Sequence, residues 1–167
     1  GGAGDDVLVT GGGFAISFSF GNEGADELRG RISAAGGFNL YLDGGAGNDT
    51  IRGYGQAENF ADYGGRTGPI TATLGNSGSV SLAGGEVDSL DTVRGIRGTS
   101  QADTITGSGA SERFMLGMGG ADVIDAGGGN DQATYIDLLA AGGGQQAQAS
   151  RPILGQEALR SPARCRR

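Results

Sequence analysis

The sequence contains no histidine and no tryptophan, and its single cysteine is Cys165. Without histidine, the chain cannot build an HExxH zinc site or a Ser-His-Asp triad. One cysteine provides neither a disulfide framework nor a Cys-His pair. The sequence shows no apolar run long enough to span a membrane and no N-terminal signal peptide. We therefore expect no catalytic residue in this chain and do not expect it to be an enzyme.

Aromatic residues are also scarce, at 6% of the 167 residues, whereas 37 residues are glycine. So few bulky side chains do not fill an ordinary layered core. Collagen is excluded because there are only three prolines and the glycines follow no three-residue period. The alternative is a disordered chain, since glycine-rich, net-negative chains usually cannot offset the entropy of ordering.

The charge is unevenly distributed along the chain. Residues 1–141 hold 7 arginines against 18 acidic residues, whereas residues 142–167 hold 5 arginines against Glu157 alone. The acidic part repels nucleic acid and attracts cations. We therefore expect no nucleic-acid partner.

One nine-residue stretch, Gly44 to Arg52, reads GGAGNDTIR and argues against disorder. Its glycines allow left-handed backbone conformations, so the turn can direct its carbonyl oxygens toward one point. Asp49 adds a carboxylate beside them. An all-oxygen cluster suits Ca²⁺ and offers nothing to zinc or copper. Thr50, Ile51 and Arg52 alternate polar, apolar, polar, which predicts a short strand with Ile51 pointing inward.

The same pattern recurs along the chain. Gly1 to Val9 places Asp6 in the carboxylate position, and Gly21 to Arg29 places Asp26 there. Four later turns carry acidic residues in that position, namely Asp103, Glu112, Asp122 and Asp131. The alternative to a metal site is that these side chains cap turns as Asx motifs. A shared register of glycine and aspartate over several turns favours the metal site.

The pattern matches GGxGxDxUx, where U is a large apolar residue, and so resembles the calcium-binding repeat of RTX proteins. The resemblance implies an all-β fold, a right-handed parallel β-roll in which two nonapeptides make one coil. It also implies several Ca²⁺ ions, each lying between turns of alternate repeats. Asp103 would then pair with Asp122, and Glu112 with Asp131. The predicted metal-binding residues are Asp6, Asp26, Asp49, Asp103, Glu112, Asp122, Asp131, Gly2, Gly4, Gly21, Gly24, Gly45, Gly47, Gly117, Gly120 and Gly129.

The repeats divide the chain into four parts. Residues 1–63 form a first repeat block, and residues 64–86 form a degenerate connector that continues the β-stack. In the second block, 87–139, apolar residues recur every nine positions at Val87, Ile96, Ile105 and Phe114, then at Ile124 and Ala133 after a one-residue slip. The tail, 140–167, reads as disordered. Resemblance to type I secreted RTX proteins implies instead an export signal.

Two alternating stripes lie between the turns of the first block. They are Phe14, Ile16, Phe18 and Phe20, and then Phe38, Leu40 and Leu42. One face of a strand must pack inward, so we predict that the stripes fill the roll, the alternative being a binding face. Leu28 and Ile51 are 23 residues apart, so each coil exceeds the 18 residues that the family resemblance implies. Asp6, Asp26 and Asp49 should then share one edge.

These observations favour a non-enzymatic calcium-binding module that folds on binding Ca²⁺ outside a bacterial cell. Because the chain begins without Met inside a repeat, we expect it to be part of a larger secreted protein. The alternative is a polysaccharide- or surface-binding roll, as resemblance to alginate-epimerase accessory modules and RTX adhesins implies. Resemblance to serralysin-like proteases and lipases implies, third, an accessory domain of a secreted hydrolase. Candidates for contacts with anionic sugars are Arg29, Arg31, Arg52 and Arg66.

Overall fold

A computed structural model describes residues 1–10, 16–30, 40–53, 59–112 and 114–134. Within these ranges the regular secondary structure is β, and no helix is long and apolar enough to cross a membrane. Phe14, Arg31, Phe38 and the predicted tail lie outside the described residues. The strands are β1 (Val7–Thr10), β2 (Ser17–Glu23), β3 (Glu27–Gly30), β4 (Leu40–Ala46), β5 (Thr50–Arg52), β6 (Asn59–Asp62), β7 (Ile70–Thr73), β8 (Gly78–Leu82), β9 (Val87–Asp91), β10 (Gly95–Arg97), β11 (Thr104–Thr106), β12 (Phe114–Leu116), β13 (Val123–Asp125) and β14 (Ala133–Thr134).

The strands form two sheets, and the chain passes back and forth between them. The large sheet has the order β1-β3-β5-β9-β8-β7-β11-β13, and the small sheet has the order β14-β12-β10-β6-β4-β2. Neighbours in the small sheet are parallel throughout. In both repeat blocks, strands of alternate repeats lie side by side. The predicted all-β parallel roll, with alternate repeats stacked, is confirmed.

The hydrophobic core lies between the two sheets. Each short strand contributes about one inward-pointing apolar side chain to it. Leu28, Ile51 and Leu90 are aligned by strand register on the large sheet. On the small sheet, Leu42 and Ile96 point inward as well. Each nonapeptide therefore buries about one large apolar side chain, worth roughly 1.5–3 kcal/mol.

The nine-residue apolar series does not mark the inward side chains at Val87 and Phe114. Val87 is exposed, and the inward residue of β9 is Leu90. Phe114 is only partly buried, whereas Met115 is fully buried and aligned with Ile96. The one-residue slip therefore falls before Met115. The spacing in the sequence did not locate this slip, because Phe114 and Met115 are both apolar and either could continue the series.

The connector joins the stack through an antiparallel meander. Strand β7 pairs antiparallel with β8, and β8 pairs antiparallel with β9. The outer strands of this meander are parallel to the repeats, because β9 pairs with β5 and β7 pairs with β11. The meander therefore carries the large sheet from the first block into the second, and β9 is the strand that contacts the first block.

The prediction that the first aromatic stripe fills the roll is wrong for its described residues. Phe18 is 55% exposed and Phe20 is 50% exposed, and Ile16 is exposed too. The inward residue of β2 is Ser19, which is aligned with the buried Leu42. Alternation shows that two faces differ, but the stacking register decides which face points inward. For Leu40 and Leu42 the inward prediction is confirmed.

Candidate metal centre

The repeat turns that carry the predicted acidic residues have the predicted left-handed backbone. Positive φ angles occur at the predicted glycines Gly4, Gly24, Gly45, Gly47, Gly120 and Gly129. The second position of the turn also takes a positive φ where it is not glycine, at Asn22 (81°) and Met118 (69°). Gly2 donates its N–H to Oδ2 of Asp6. Gly21 and Gly117 lie so close to the carboxylates of Asp26 and Asp122 that a Cβ would overlap them.

Carboxylates of stacked turns form a column along one edge of the large sheet. The N–H of Asp6 donates to Oδ1 of Asp26 at 2.7 Å, and the N–H of Asp26 donates to Oδ1 of Asp49 at 2.8 Å. The N–H of Asp49 donates in turn to Oδ1 of Asp88 at 2.9 Å. The structure thus brings together the three predicted aspartates of the first block and adds a fourth.

The second block repeats this arrangement in two places. The N–H of Asp103 donates to Oδ1 of Asp122 at 3.0 Å, and the N–H of Glu112 donates to Oδ1 of Asp131 at 2.9 Å. Both predicted pairs are therefore adjacent. They lie on opposite edges, because Asp103 precedes a strand of the large sheet and Glu112 precedes a strand of the small sheet.

The carboxylates at the acidic positions differ in how many hydrogen bonds they accept from the protein. Oδ2 of Asp26, Oδ2 of Asp49 and Oε2 of Glu112 are buried and have no hydrogen-bond partner among the described residues. Asp103 is different, because Oδ1 accepts from the N–H of Ile70 and the hydroxyl of Thr99, and Oδ2 accepts from the N–H of Thr99. A buried carboxylate oxygen without a donor is costly in isolation, so these positions fit a cation.

A three-carboxylate cluster, made of Asp49, Glu86 and Asp88, lies where the column meets the meander. One carboxylate oxygen from each lies within 4.8 Å of the others. Sequence reasoning missed Glu86 and Asp88, because they follow Gly84 in a turn, GGEVD, one residue too short for the repeat. A pair of glycines followed closely by two acidic residues was the available signal.

The electrostatics of the cluster disfavour the ionised forms of Asp49 and Asp88. Burial raises the pKa of Asp49 to about 6, and the neighbouring charges of Asp88, Asp26 and Glu86 add to the effect. Burial is also the main reason that the pKa of Asp88 is raised. Burial likewise raises the pKa of Asp122. Each shift indicates that the surrounding protein groups do not fully compensate the ionised form.

The geometry agrees with a comparison against known families. The family described as "RTX calcium-binding nonapeptide repeat (4 copies)" matches residues 1–14, 41–59 and 114–133. These three stretches are similar to RTX calcium-binding nonapeptide repeats. The suspected family resemblance is thereby confirmed, and no curated protein matches the chain. The RTX repeats and the parallel roll together support a Ca²⁺-binding β-roll.

The residues of the RTX turns fit calcium. The unpartnered buried atoms of Asp26, Asp49 and Glu112 are all oxygens, and no described turn brings histidine or cysteine to them. Oxygen-only sites select hard cations such as Ca²⁺. Among the matched stretches are the turns of Asp6, Asp49, Asp122 and Asp131, whereas Glu86 and Asp88 lie outside them.

The arginines that were candidates for sugar binding are engaged in ion pairs. Arg52 pairs with Glu27 at 2.6 Å and with Asp91 at 2.7 Å. Arg29 pairs with the same Glu27. Arg66 pairs with Glu86 at 3.2 Å, beside the carboxylate cluster. The three described arginines thus have carboxylate partners already.

Proposed function

We propose that this chain is a non-enzymatic calcium-binding β-roll module that folds when it binds Ca²⁺ outside the cell, as part of a larger secreted bacterial protein. The observation that carries the proposal is the pair of buried, unpartnered oxygens, Oδ2 of Asp26 and Oδ2 of Asp49, in successive stacked RTX turns. RTX repeats are typical of secreted bacterial proteins, which supports the proposed location.

Calcium would act as part of the folded structure. Asp26 and Asp49 are forced together by stacking, since the N–H of one donates to the carboxylate of the other. In the metal-free chain this brings like charges into a buried place. Bound Ca²⁺ compensates that charge, so the free energy of binding becomes free energy of folding. The chain's own contribution is to hold the carboxylates and turn carbonyls in register.

The residues proposed to bind the ions are the acidic positions of the stacked turns and their glycines, as predicted from the sequence. In the first block, Asp6, Asp26 and Asp49 supply the carboxylates. In the second block, the Glu112 turn gains support from its unpartnered Oε2, whereas Thr99 and Ile70 occupy the oxygens of Asp103. We therefore propose that the pair of Glu112 and Asp131 binds more tightly than the pair of Asp103 and Asp122.

Circular dichroism during a Ca²⁺ titration tests this function. We expect strand signal to be largely absent in chelator and to appear with a midpoint of about 10⁻⁴–10⁻³ M, the range of extracellular modules. Magnesium should not replace calcium, because it demands a tighter octahedral geometry. Full strand signal in excess chelator would contradict the proposal.

A matched pair of variants ties the effect to the column. Asp26→Asn keeps an oxygen acceptor for the N–H of Asp6 but removes the charge. We expect its Ca²⁺ midpoint to rise at least tenfold. Glu23→Gln removes the same charge from an exposed residue in the same turn, and its midpoint should change less than twofold. Equal Ca²⁺ midpoints for the two variants would contradict the assignment of Asp26 as a calcium-binding residue.

Binding of an anionic polysaccharide or a cell surface is the alternative function. The ion pairs of Arg29, Arg52 and Arg66 do not favour it, because these cations are already compensated. A glycan array run in Ca²⁺ separates the two functions. Binding of acidic glycans that survives in high salt would support the alternative.

A further inference from the structure

We propose that Asp49, Glu86 and Asp88 form a divalent-cation site that no RTX repeat accounts for, built half from a repeat turn and half from the meander. Its ion clamps the meander to the first block. The preference for Ca²⁺ rests on the proposed function, whereas the site itself rests on the geometry of these three side chains.

The first support is convergence of carboxylates from distant parts of the chain. Glu86 and Asp88 lie 37 and 39 residues beyond Asp49 in sequence. Even so, one carboxylate oxygen from each of the three residues lies within 4.8 Å of the other two. Oxygens at such separations can share one cation, because Ca²⁺ binds its ligands at about 2.3–2.6 Å.

The second support is an unsatisfied atom in the cluster. Asp49 is 1% exposed, and within the described part of the chain its Oδ2 has no hydrogen-bond partner, while Oδ1 accepts from the N–H of Asp26. Asp88 is 0% exposed. Its Oδ1 accepts from the N–H of Asp49, and its Oδ2 accepts from the hydroxyl of Tyr63. Two carboxylates are thus buried, and one of them presents a free oxygen.

The third support is charge. Three carboxylates meet here, and the cation bonded to them among the described residues is Arg66, which contacts Oε1 of Glu86 at 3.2 Å. The cluster therefore carries an excess of two negative charges when all three are ionised. A divalent cation cancels that excess. Because the donors are carboxylates only, a hard ion such as Ca²⁺ fits better than zinc.

The surrounding backbone already holds the two halves in register. The N–H of Gly47 donates to Oε1 of Glu86, and the N–H of Val87 donates to the side-chain oxygen of Asn48. The N–H of Ser89 donates to the carbonyl of Asp49. These bonds place the GGEVD turn where the next repeat turn would stack. The ion would add to these hydrogen bonds in holding the meander against the first block.

Ion counting in the full chain tests the site. Calcium stoichiometry and affinities are measured by equilibrium dialysis for wild type, Glu86→Gln and Asp91→Asn. Glu86→Gln keeps the acceptor for Gly47, so the fold should survive. We expect it to lose one ion or to bind one ion at least tenfold more weakly. Asp91→Asn removes a partly exposed carboxylate three residues beyond Asp88 and should leave the count unchanged.

A spectroscopic measurement tests the site without counting bound ions. Terbium replaces calcium at oxygen sites and emits when a nearby tyrosine is excited, and the hydroxyl of Tyr63 contacts Asp88 at 2.9 Å. We expect sensitised emission in wild type to fall by at least half in Tyr63→Phe. Should Glu86→Gln fail to fold, this comparison decides, and undiminished emission overturns the site.

The outcomes separate the two proposals. Wild-type protein that binds no calcium overturns both. Wild-type protein that binds calcium, with the same number and affinities in Glu86→Gln, overturns this site and leaves the repeat sites standing. Loss of one ion in Glu86→Gln but not in Asp91→Asn supports the site.

Discussion

The ring centroids of Phe60 and Phe114 lie 5.5 Å apart, although strand β10 runs between the strands that carry them. Neighbouring strands are about 4.8 Å apart, so side chains two strands apart are normally separated by about twice that distance. The residue of β10 at this register position is Gly95. Because it has no side chain, the two rings close over it. Tyr41 and Phe18 extend the stack, each 5.1 Å from the next ring.

Replacing Gly95 with valine tests the importance of this contact. A Cβ on Gly95 would lie 2.7 Å from Cδ1 of Phe60, so the rings must part. We expect Gly95→Val to lower the free energy of unfolding by about 1–3 kcal/mol, the usual cost of overpacking. Denaturant unfolding in saturating Ca²⁺ measures it. Gly65→Ala, with open space around its Cβ, should change stability by less than about 0.5 kcal/mol.

A second prediction concerns Gly47, at the fourth position of the turn that carries Asp49. Its φ is 126°, a conformation that side chains rarely adopt, and a Cβ would overlap the carbonyl oxygen of Gly24 in the turn below. We expect Gly47→Ala to cost about 1–3 kcal/mol and to weaken Ca²⁺ binding, because the stacked turns must separate. Unfolding and calcium titration of the same variant measure both effects. Wild-type values in Gly47→Ala would contradict this reading, and Gly65→Ala again serves as the control.

The stacked carboxylates were predictable because their information is local. Each turn specifies its own left-handed backbone through glycine, and a constant register then places Asp26 near Asp49 once coils stack. The same holds for Asp103 with Asp122. A short motif and its spacing were sufficient.

Other features depend on which distant strands pair, so the spacing of residues in the sequence could not predict them. Asp88 joins the column because the meander brings β9 beside β5. In the sequence, Asp88 lies 39 residues beyond Asp49. The outward position of Phe18 is set by the register of β2 on β4, since alternation alone fits either face. These contacts are decided by which strands meet.

Met118 is a third test, because it is a non-glycine residue with a φ of 69°. It occupies the turn position that Asn22 and Gly45 occupy in the first block. A left-handed conformation costs a residue with a Cβ roughly 1–2 kcal/mol. We expect Met118→Gly to be more stable than Met118→Ala by about 1 kcal/mol, the reverse of the usual order in regular structure. Both variants lose the methionine side chain, so their difference in denaturant midpoint isolates the backbone. The prediction would be refuted if Met118→Ala were as stable as Met118→Gly or more stable.

The last prediction concerns pH in calcium-free buffer. The pKa of Asp49 is raised to about 6, first by burial and then by the charges of Asp88, Asp26 and Glu86. An aspartate in an unfolded chain has a pKa near 3.9, so the folded state binds the proton more tightly between these values. The stabilisation from this proton is full below about pH 3.9 and is lost as pH rises through about 6. We therefore expect the strand signal of calcium-free protein to increase from pH 7 to pH 5.

Glu27 works in the opposite direction but outside this window. Hydrogen bonds from Arg29 and then Arg52 lower the pKa of Glu27 to about 2, so its stabilisation is lost only as pH falls below about 4.5. Asp49→Asn is the control, because it removes the titrating group while keeping an oxygen for the N–H of Asp26. It should raise the calcium-free strand signal at pH 7 and reduce its change between pH 7 and pH 5. A wild-type signal that stays constant or falls over that range would show that Asp49 does not govern the metal-free state.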